Sequence, residues 1–196
     1  MTKEIKKICV FASASNDLDE VYYKAAQELG TLIAEAGYGI VYGGSRRGLM
    51  YACAGAVQAK GGEVIGVMPE KMVEYGLDNI NDCTEFHVTK GMRERKAKID
   101  EISDAVIAVP GGFGTLEEVS EMIVQKQLGY NNKPIIILNT ANFYDHLIKF
   151  FEDVIKNRFA PKGADEIYYI ANTPKEAVDY IKTYNPGPAF VKYAMR

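Results

Sequence analysis

The chain has 196 residues, 47% hydrophobic and 25% charged, which suffices for one well-buried domain of ordinary globular composition. Its formal net charge of −3 excludes the basic balance expected of a duplex nucleic-acid binder. No apolar run approaches the ~18 residues of a membrane span, and the charged opening Met1-Thr2-Lys3-Glu4 lacks a small-residue cleavage site, so neither a membrane segment nor a signal peptide is expected.

Strand-like and helix-like segments alternate from the start. Strands are expected at 7–12, 38–42, 63–68, 85–88, 105–109, 134–138 and 167–170. Several are almost continuously apolar, as in Ala105-Val106-Ile107-Ala108-Val109, a pattern that suits strands covered on both faces of a parallel sheet. A helix is expected over 17–36, where Val21, Ala25, Leu29, Leu32, Ile33 and Ala36 recur with a period near 3.6 and Gly37 stops the run. A small, Ala-rich helix follows at 49–60 and ends at Gly61-Gly62, and another is expected at 115–128. Thr173-Pro174-Lys175-Glu176 joins a capping box to a proline at the first helical position and opens the last helix. The alternation predicts an α/β fold: a single Rossmann-like, doubly wound domain over 1–185, with a mainly parallel sheet of about seven strands flanked by helices. A loose tail at 186–196, holding Pro186 and Pro188, completes the chain.

Cys9, Cys53 and Cys83 have no metal-like spacing, and His87 and His146 are the two histidines. Reduced thiols of a cytoplasmic protein are expected, with no metal and no structural zinc.

In doubly wound sheets, ligands bind beyond the carboxyl ends of the strands. Three segments there can carry chemistry. The first is Gly43-Gly44-Ser45-Arg46-Arg47-Gly48, after the second strand. Its glycines allow tight turns, and the next helix supplies a positive dipole. It is neither a Walker A sequence nor a dinucleotide fingerprint. Phosphate binding and a plain glycine-rich turn with solvated arginines are evenly balanced for it.

The second is Met92-Arg93-Glu94-Arg95-Lys96. Met92, Ile99 and Ile102 define one apolar helical stripe, and Arg95 falls on it. A guanidinium there needs an anionic partner or an open cavity, unless it snorkels from a helix end. Its planar fork suits phosphate or carboxylate.

The third is Pro110-Gly111-Gly112-Phe113-Gly114-Thr115, after the most apolar strand and followed by Glu117 and Glu118. Three glycines in four positions let the backbone approach an anion. Thr115-x-x-Glu118 has the spacing of a capping box, and that local role is favoured over a functional one when the spacing is taken alone. Together the segments offer anion cradles, an arginine and a carboxylate pair, without a Ser-His-Asp set, a metal cluster or a Schiff-base lysine context. Glycosidic cleavage through an oxocarbenium-like transition state suits such a set.

The run from Pro110 to Glu118 resembles the PGGxGTxxE signature of the Lonely Guy (LOG) family, cytokinin riboside 5′-monophosphate phosphoribohydrolases formerly often labelled lysine decarboxylases. Ile8-Cys9-Val10-Phe11, Val41-Tyr42-Gly43-Gly44 with Gly48-Leu49-Met50, the Val64-Ile65-Gly66-Val67 core and the Met92–Lys96 segment agree with it. The resemblance implies Arg95 and Glu118 as the catalytic pair. It implies a substrate site of Gly43, Gly44, Lys96, Gly111, Gly112, Phe113, Gly114, Thr115 and Glu117. It further implies a purine-type nucleoside 5′-monophosphate as substrate, with free base and ribose 5-phosphate as products. No cofactor, no nucleic-acid polymer and no membrane is expected, and a homodimer or larger homo-oligomer is, for which the aromatic pairs Phe143-Tyr144 and Phe150-Phe151 are available.

The chain departs from the family pattern at Ala12-Ser13-Ala14-Ser15, at Ser45, around Gly76-Leu77-Asp78 and at Val124, positions that bear on base preference. Two rivals stand beside this reading. One is a nucleotide-binding sensor or carrier that does not cleave. The other is a lysine decarboxylase carrying pyridoxal phosphate on a lysine.

Overall fold

A computed structural model describes residues 4–187. Seven parallel strands form one sheet: β1 (Lys7–Phe11), β2 (Gly39–Tyr42), β3 (Val64–Pro69), β4 (Glu85–Thr89), β5 (Ala105–Ala108), β6 (Ile135–Leu138) and β7 (Tyr169–Ala171). Their order is β4-β3-β2-β1-β5-β6-β7. The chain therefore builds outward from β1 in one direction and returns to the other side of β1 at β5. That reversal leaves a crevice at the carboxyl ends of β1 and β5.

The central strands are buried along their whole length because both faces are covered. On one face pack α1 (Glu20–Glu35), α2 (Gly48–Ala59) and α7 (Pro174–Thr183), through Leu29, Ile33, Cys53, Val57 and Val178. On the other lie α4 (Met92–Ile102), α5 (Phe113–Gln127) and α6 (Asp145–Lys156), through Ile99, Val119 and Met122. Gly30 lets α1 and α2 approach closely: a Cβ there would lie 2.2 Å from the Cys53 carbonyl oxygen.

The expected strands all form, most within a residue of the predicted bounds. The seventh is displaced. Ile167 ends a short 3-10 turn (Ala164–Ile167) and is buried beneath it, so pairing with β6 begins at Tyr169. The first helix starts at Glu20, three residues later than the pattern suggests. At the last helix the Thr173 hydroxyl accepts from the Glu176 amide, as expected, but the Glu176 carboxylate reaches back to the amide of Asn172 rather than to that of Thr173. Two helices carry no prediction. α3 (Glu70–Glu74) has five residues, too few for a periodic signal, and α6 lies in a stretch read for its aromatic residues alone.

The expected tail lies mostly outside the described residues, which include its first two positions, 186 and 187. No described helix is long and apolar enough to cross a membrane.

Candidate active site

The crevice at the strand ends holds a cleft of about 360 Å³, walled by the loops after β1, β2, β3 and β5 and by one edge of α4. Arg95 and Glu118 meet in it. Arg95 sits on the inward stripe of α4 and is 7% exposed; Glu118 sits on the inward face of α5 and is 8% exposed. Arg95 Nη1 donates to Glu118 Oε1 at 2.5 Å, and Arg95 Nε donates to the Val67 carbonyl at 3.1 Å. The stripe reading of Arg95 is thus borne out, with a carboxylate as its anionic partner. Met92, on the same stripe, is half exposed at the cleft instead of being buried.

The capping reading of Thr115 and Glu118 fails. α5 begins at Phe113 with Gly112 as its N-cap, so Thr115 already lies inside the first turn and Glu118 comes a turn further on. Burial holds the Glu118 carboxyl above the ordinary carboxylate range, against the pull of Arg95. Glu118 Oε2 accepts no hydrogen bond from the described residues. A buried carboxylate with one oxygen held by a guanidinium and the other open is suited to take a proton or to face a developing positive charge.

The two glycine segments differ in kind. In the loop after β2 the space is already taken. A Cβ on Gly43 would lie 2.5 Å from Arg95 Nη2, and one on Gly44 would lie 2.9 Å from Phe86 Cε2. The N-terminus of α2 is also occupied. The Gly48 amide donates to Asn16 Oδ1, and those of Leu49 and Met50 donate to the Ser13 carbonyl. The helix mouth is therefore closed to a phosphate, and the two glycines serve packing: Gly43 makes room for the guanidinium, and Gly44 adopts φ +72 over the Phe86 ring.

The loop after β5 is open. Nothing stands within 4 Å of where a Cβ would be on Gly112 or Gly114. The amides of Phe113, Gly114 and Thr115 have no acceptor among the described residues. Uncapped amides at the mouth of a 15-residue helix, with cleared approaches, are chemically suited to an anion. The Gly111 side-chain position is filled by Thr115, whose Oγ1 would lie 2.1 Å from a Cβ.

Of the residues expected at the site, the cleft brings together Gly43, Arg95, Gly112, Gly114, Thr115 and Glu118. Gly44, Lys96, Gly111, Phe113 and Glu117 stand outside its wall. Lys96 bonds to Glu117 and, at 2.7 Å, to Glu121, tying α4 to α5 on the outside. Phe113 is 92% exposed beside the cleft mouth. Sequence reasoning gave no weight to Met50, Met68 and Met72, which join Met92 in the wall. A methionine in an apolar strand or short helix reads as core, and the crevice alone reveals it as lining. Thioethers make this wall apolar and adaptable.

The chain is similar to known proteins over most of its length. A family model described as "Possible lysine decarboxylase" matches residues 50–181. The cytokinin riboside 5′-monophosphate phosphoribohydrolase LOG of Oryza sativa subsp. japonica is 37% identical over 181 residues, 92% of this chain and 74% of the rice protein. The chain belongs to the LOG family. Its relative LOG4 of Arabidopsis thaliana, which carries the same activity in its name, is 37% identical over 180 residues, 92% of this chain and 83% of that one. Among solved structures, the molybdenum cofactor binding protein from Rippkaea orientalis shares 24% identity and superposes with a TM-score of 0.70, over 92% of this chain and 97% of that one. At that identity the likeness speaks for the Rossmann-like fold alone.

The decarboxylase label carried by the LOG family model does not fit the residues present. A pyridoxal phosphate enzyme needs a lysine in the cleft to hold the cofactor. Among the described residues no lysine lines it, and Lys96, beside Arg95 in sequence, is engaged outside.

Gly43 gives the first test of the geometry. Gly43→Ala is expected to push aside a guanidinium that Val67 and Glu118 otherwise fix. Turnover should fall by about 10- to 100-fold, with stability changed by roughly 1 kcal/mol or less. Steady-state rates beside a denaturant titration check this, and unchanged turnover contradicts it.

Proposed function

We propose that this chain hydrolyses the N-glycosidic bond of purine-type nucleoside 5′-monophosphates, AMP or an N6-substituted analogue, releasing the free base and ribose 5-phosphate. The observation that carries the reading is the Arg95–Glu118 pair set one helical turn from the open amides of α5. The amides of Phe113, Gly114 and Thr115 take the 5′-phosphate. The ribose then lies between that anchor and Glu118. The purine rests on the apolar wall of Met68, Met72, Leu77 and Met92.

Cleavage breaks the bond from C1′ to the base nitrogen, and the electron pair leaves with the base. Positive charge builds on the sugar in the transition state, and the Glu118 carboxylate faces it. The water that attacks C1′ gives its proton to Glu118 Oε2, solvent protonates the departing base, and Glu118 returns its proton to solvent to restore the carboxylate. Arg95 orients Glu118, with its Nη2 lying beside Gly43 at the cleft wall. The names of the LOG relatives support this reading, since they combine a riboside 5′-monophosphate with removal of the phosphoribosyl group.

The active form in this reading is a homodimer. Phe113 and Val124 on one face of α5, with Leu128 just past its end, are exposed and suit a second copy of the chain. Of the aromatic pairs expected at an interface, Phe143 and Phe150 are exposed, whereas Tyr144 is buried in its own chain and unavailable to a partner.

The test is incubation with AMP, with an N6-substituted AMP and with adenosine, assayed for ribose 5-phosphate or ribose and run on material eluting at the mass of two chains. Release of base from the two monophosphates and not from adenosine is expected. Stable binding without release favours the sensor or carrier reading instead. Activity confined to material at the mass of one chain contradicts the dimer.

A further inference from the structure

The loop that aims the α5 amides has few anchors of its own. Val109 ends the β5 ladder by donating its amide to the Phe11 carbonyl. Pro110 has no N–H to give. The Pro110 carbonyl accepts from the Ser13 amide at 3.3 Å, and the Val109 carbonyl accepts from the Tyr144 hydroxyl at 2.9 Å. Between these two bonds and the first helical bond, Leu116 amide to Gly112 carbonyl, the described residues supply no further backbone-to-backbone hydrogen bond.

Tyr144 arrives from the connection after β6, the strand next to β5. After β6 the backbone makes a tight reversal in which two residues other than glycine, Ala141 and Asn142, adopt φ of +53 and +61. Such conformations persist where the surroundings over-determine them. Asn139 does so here. Its amide donates to the Ala171 carbonyl of β7, its Oδ1 accepts from the Tyr144 amide at 2.7 Å, and its Nδ2 donates to Asp145 Oδ1 at 2.8 Å. The reversal drives the Tyr144 ring into the core, where Phe143 packs edge-on with centroids 4.8 Å apart. Burial keeps the phenol protonated and therefore a donor, and the Gly111 amide faces the same oxygen.

We infer that Tyr144 is a positioning residue for the phosphate site: its hydroxyl, held by the Asn139 turn, fixes the Val109–Gly111 backbone and so sets the aim of the α5 amides. The inference rests on the phosphate reading of the α5 N-terminus. It goes beyond that reading by assigning part of the affinity to a side chain outside the cleft wall and about one helix beyond the signature.

The experiment compares Tyr144→Phe, which keeps the ring and loses the hydroxyl, with wild type in calorimetric binding of ribose 5-phosphate and of adenosine. One ligand carries the phosphate without a base and the other the reverse. The variant is expected to bind ribose 5-phosphate about 5- to 20-fold more weakly and adenosine as before, and to raise KM for AMP by a similar factor with kcat within about threefold. Asn139→Ala, which loosens the turn without touching the ring, is expected to give the same selective loss. Equal loss for both ligands in both variants means general damage and overturns the inference. Unchanged ribose 5-phosphate affinity in Tyr144→Phe overturns it while leaving the proposed function standing. If wild type itself fails to bind ribose 5-phosphate, the phosphate reading falls and the inference falls with it.

Discussion

Glu118→Gln is expected to lower kcat for AMP by about a thousandfold while the folded protein still binds nucleotide. The amide keeps the shape of the side chain and an oxygen for Arg95 Nη1. In the proposed mechanism it loses the negative charge that faces the sugar and the basicity that takes a proton from water. Loss of a general base costs 10²–10⁴-fold in rate, and loss of a preorganised charge acts in the same direction. Stability should change by roughly 1 kcal/mol or less, since the weaker hydrogen bond to Arg95 is offset by removal of a charge that burial disfavours. Single-turnover rates and a denaturant titration measure the two effects. A variant that keeps full turnover removes Glu118 from the chemistry.

Arg95→Ala is expected to be the most damaging single change. It removes the partner of a carboxylate that is 8% exposed and the donor to the Val67 carbonyl together. Breaking one side of a buried pair costs about 3–5 kcal/mol, because the remaining charge is left without compensation. Activity should fall by about a thousandfold, since Glu118 loses its orientation.

The stability loss should also depend on pH. The causes that lower the Glu118 pKa in the wild type come chiefly from Arg95, whereas burial and Glu117 raise it. Without Arg95 the carboxyl rises further. A carboxyl raised in the folded state contributes stability that is present below its unfolded pKa and is lost as pH rises through the folded one. The penalty in Arg95→Ala is therefore expected to be smaller at pH 5 than at pH 8. Equal penalties at both pH values would mean that Glu118 is not the charge left stranded.

The sheet was legible because its central strands are buried on both faces and read as unbroken apolar runs. Arg95 was legible because a cation on the Met92–Ile99 stripe violates the ordinary pattern and so demands a partner. The partner, Glu118, was legible through the family signature and not through its spacing. Thr115-x-x-Glu118 has the same spacing whether it caps a helix or lies inside one, and the start of α5 at Phe113 decides between the two. Similarly, glycines after β2 and β5 look alike as letters. They differ in what fills the space beside them: Arg95 and Phe86 in the first loop, and open cleft beside Gly112 and Gly114 in the second. Asn16 and Ser13, which occupy the amides of α2, lie more than thirty residues upstream, beyond the reach of any local pattern. Tyr144 bonds to a carbonyl 35 positions earlier, so its role exists only once β5 and β6 are paired.

The most direct test is a crystal structure of Glu118→Gln soaked with AMP, in which slow cleavage leaves the substrate intact. The phosphate is predicted within hydrogen-bond distance of the Phe113, Gly114 and Thr115 amides, with C1′ facing position 118. A phosphate seated instead on the Gly43–Gly48 turn, or a ribose turned away from position 118, would contradict the account.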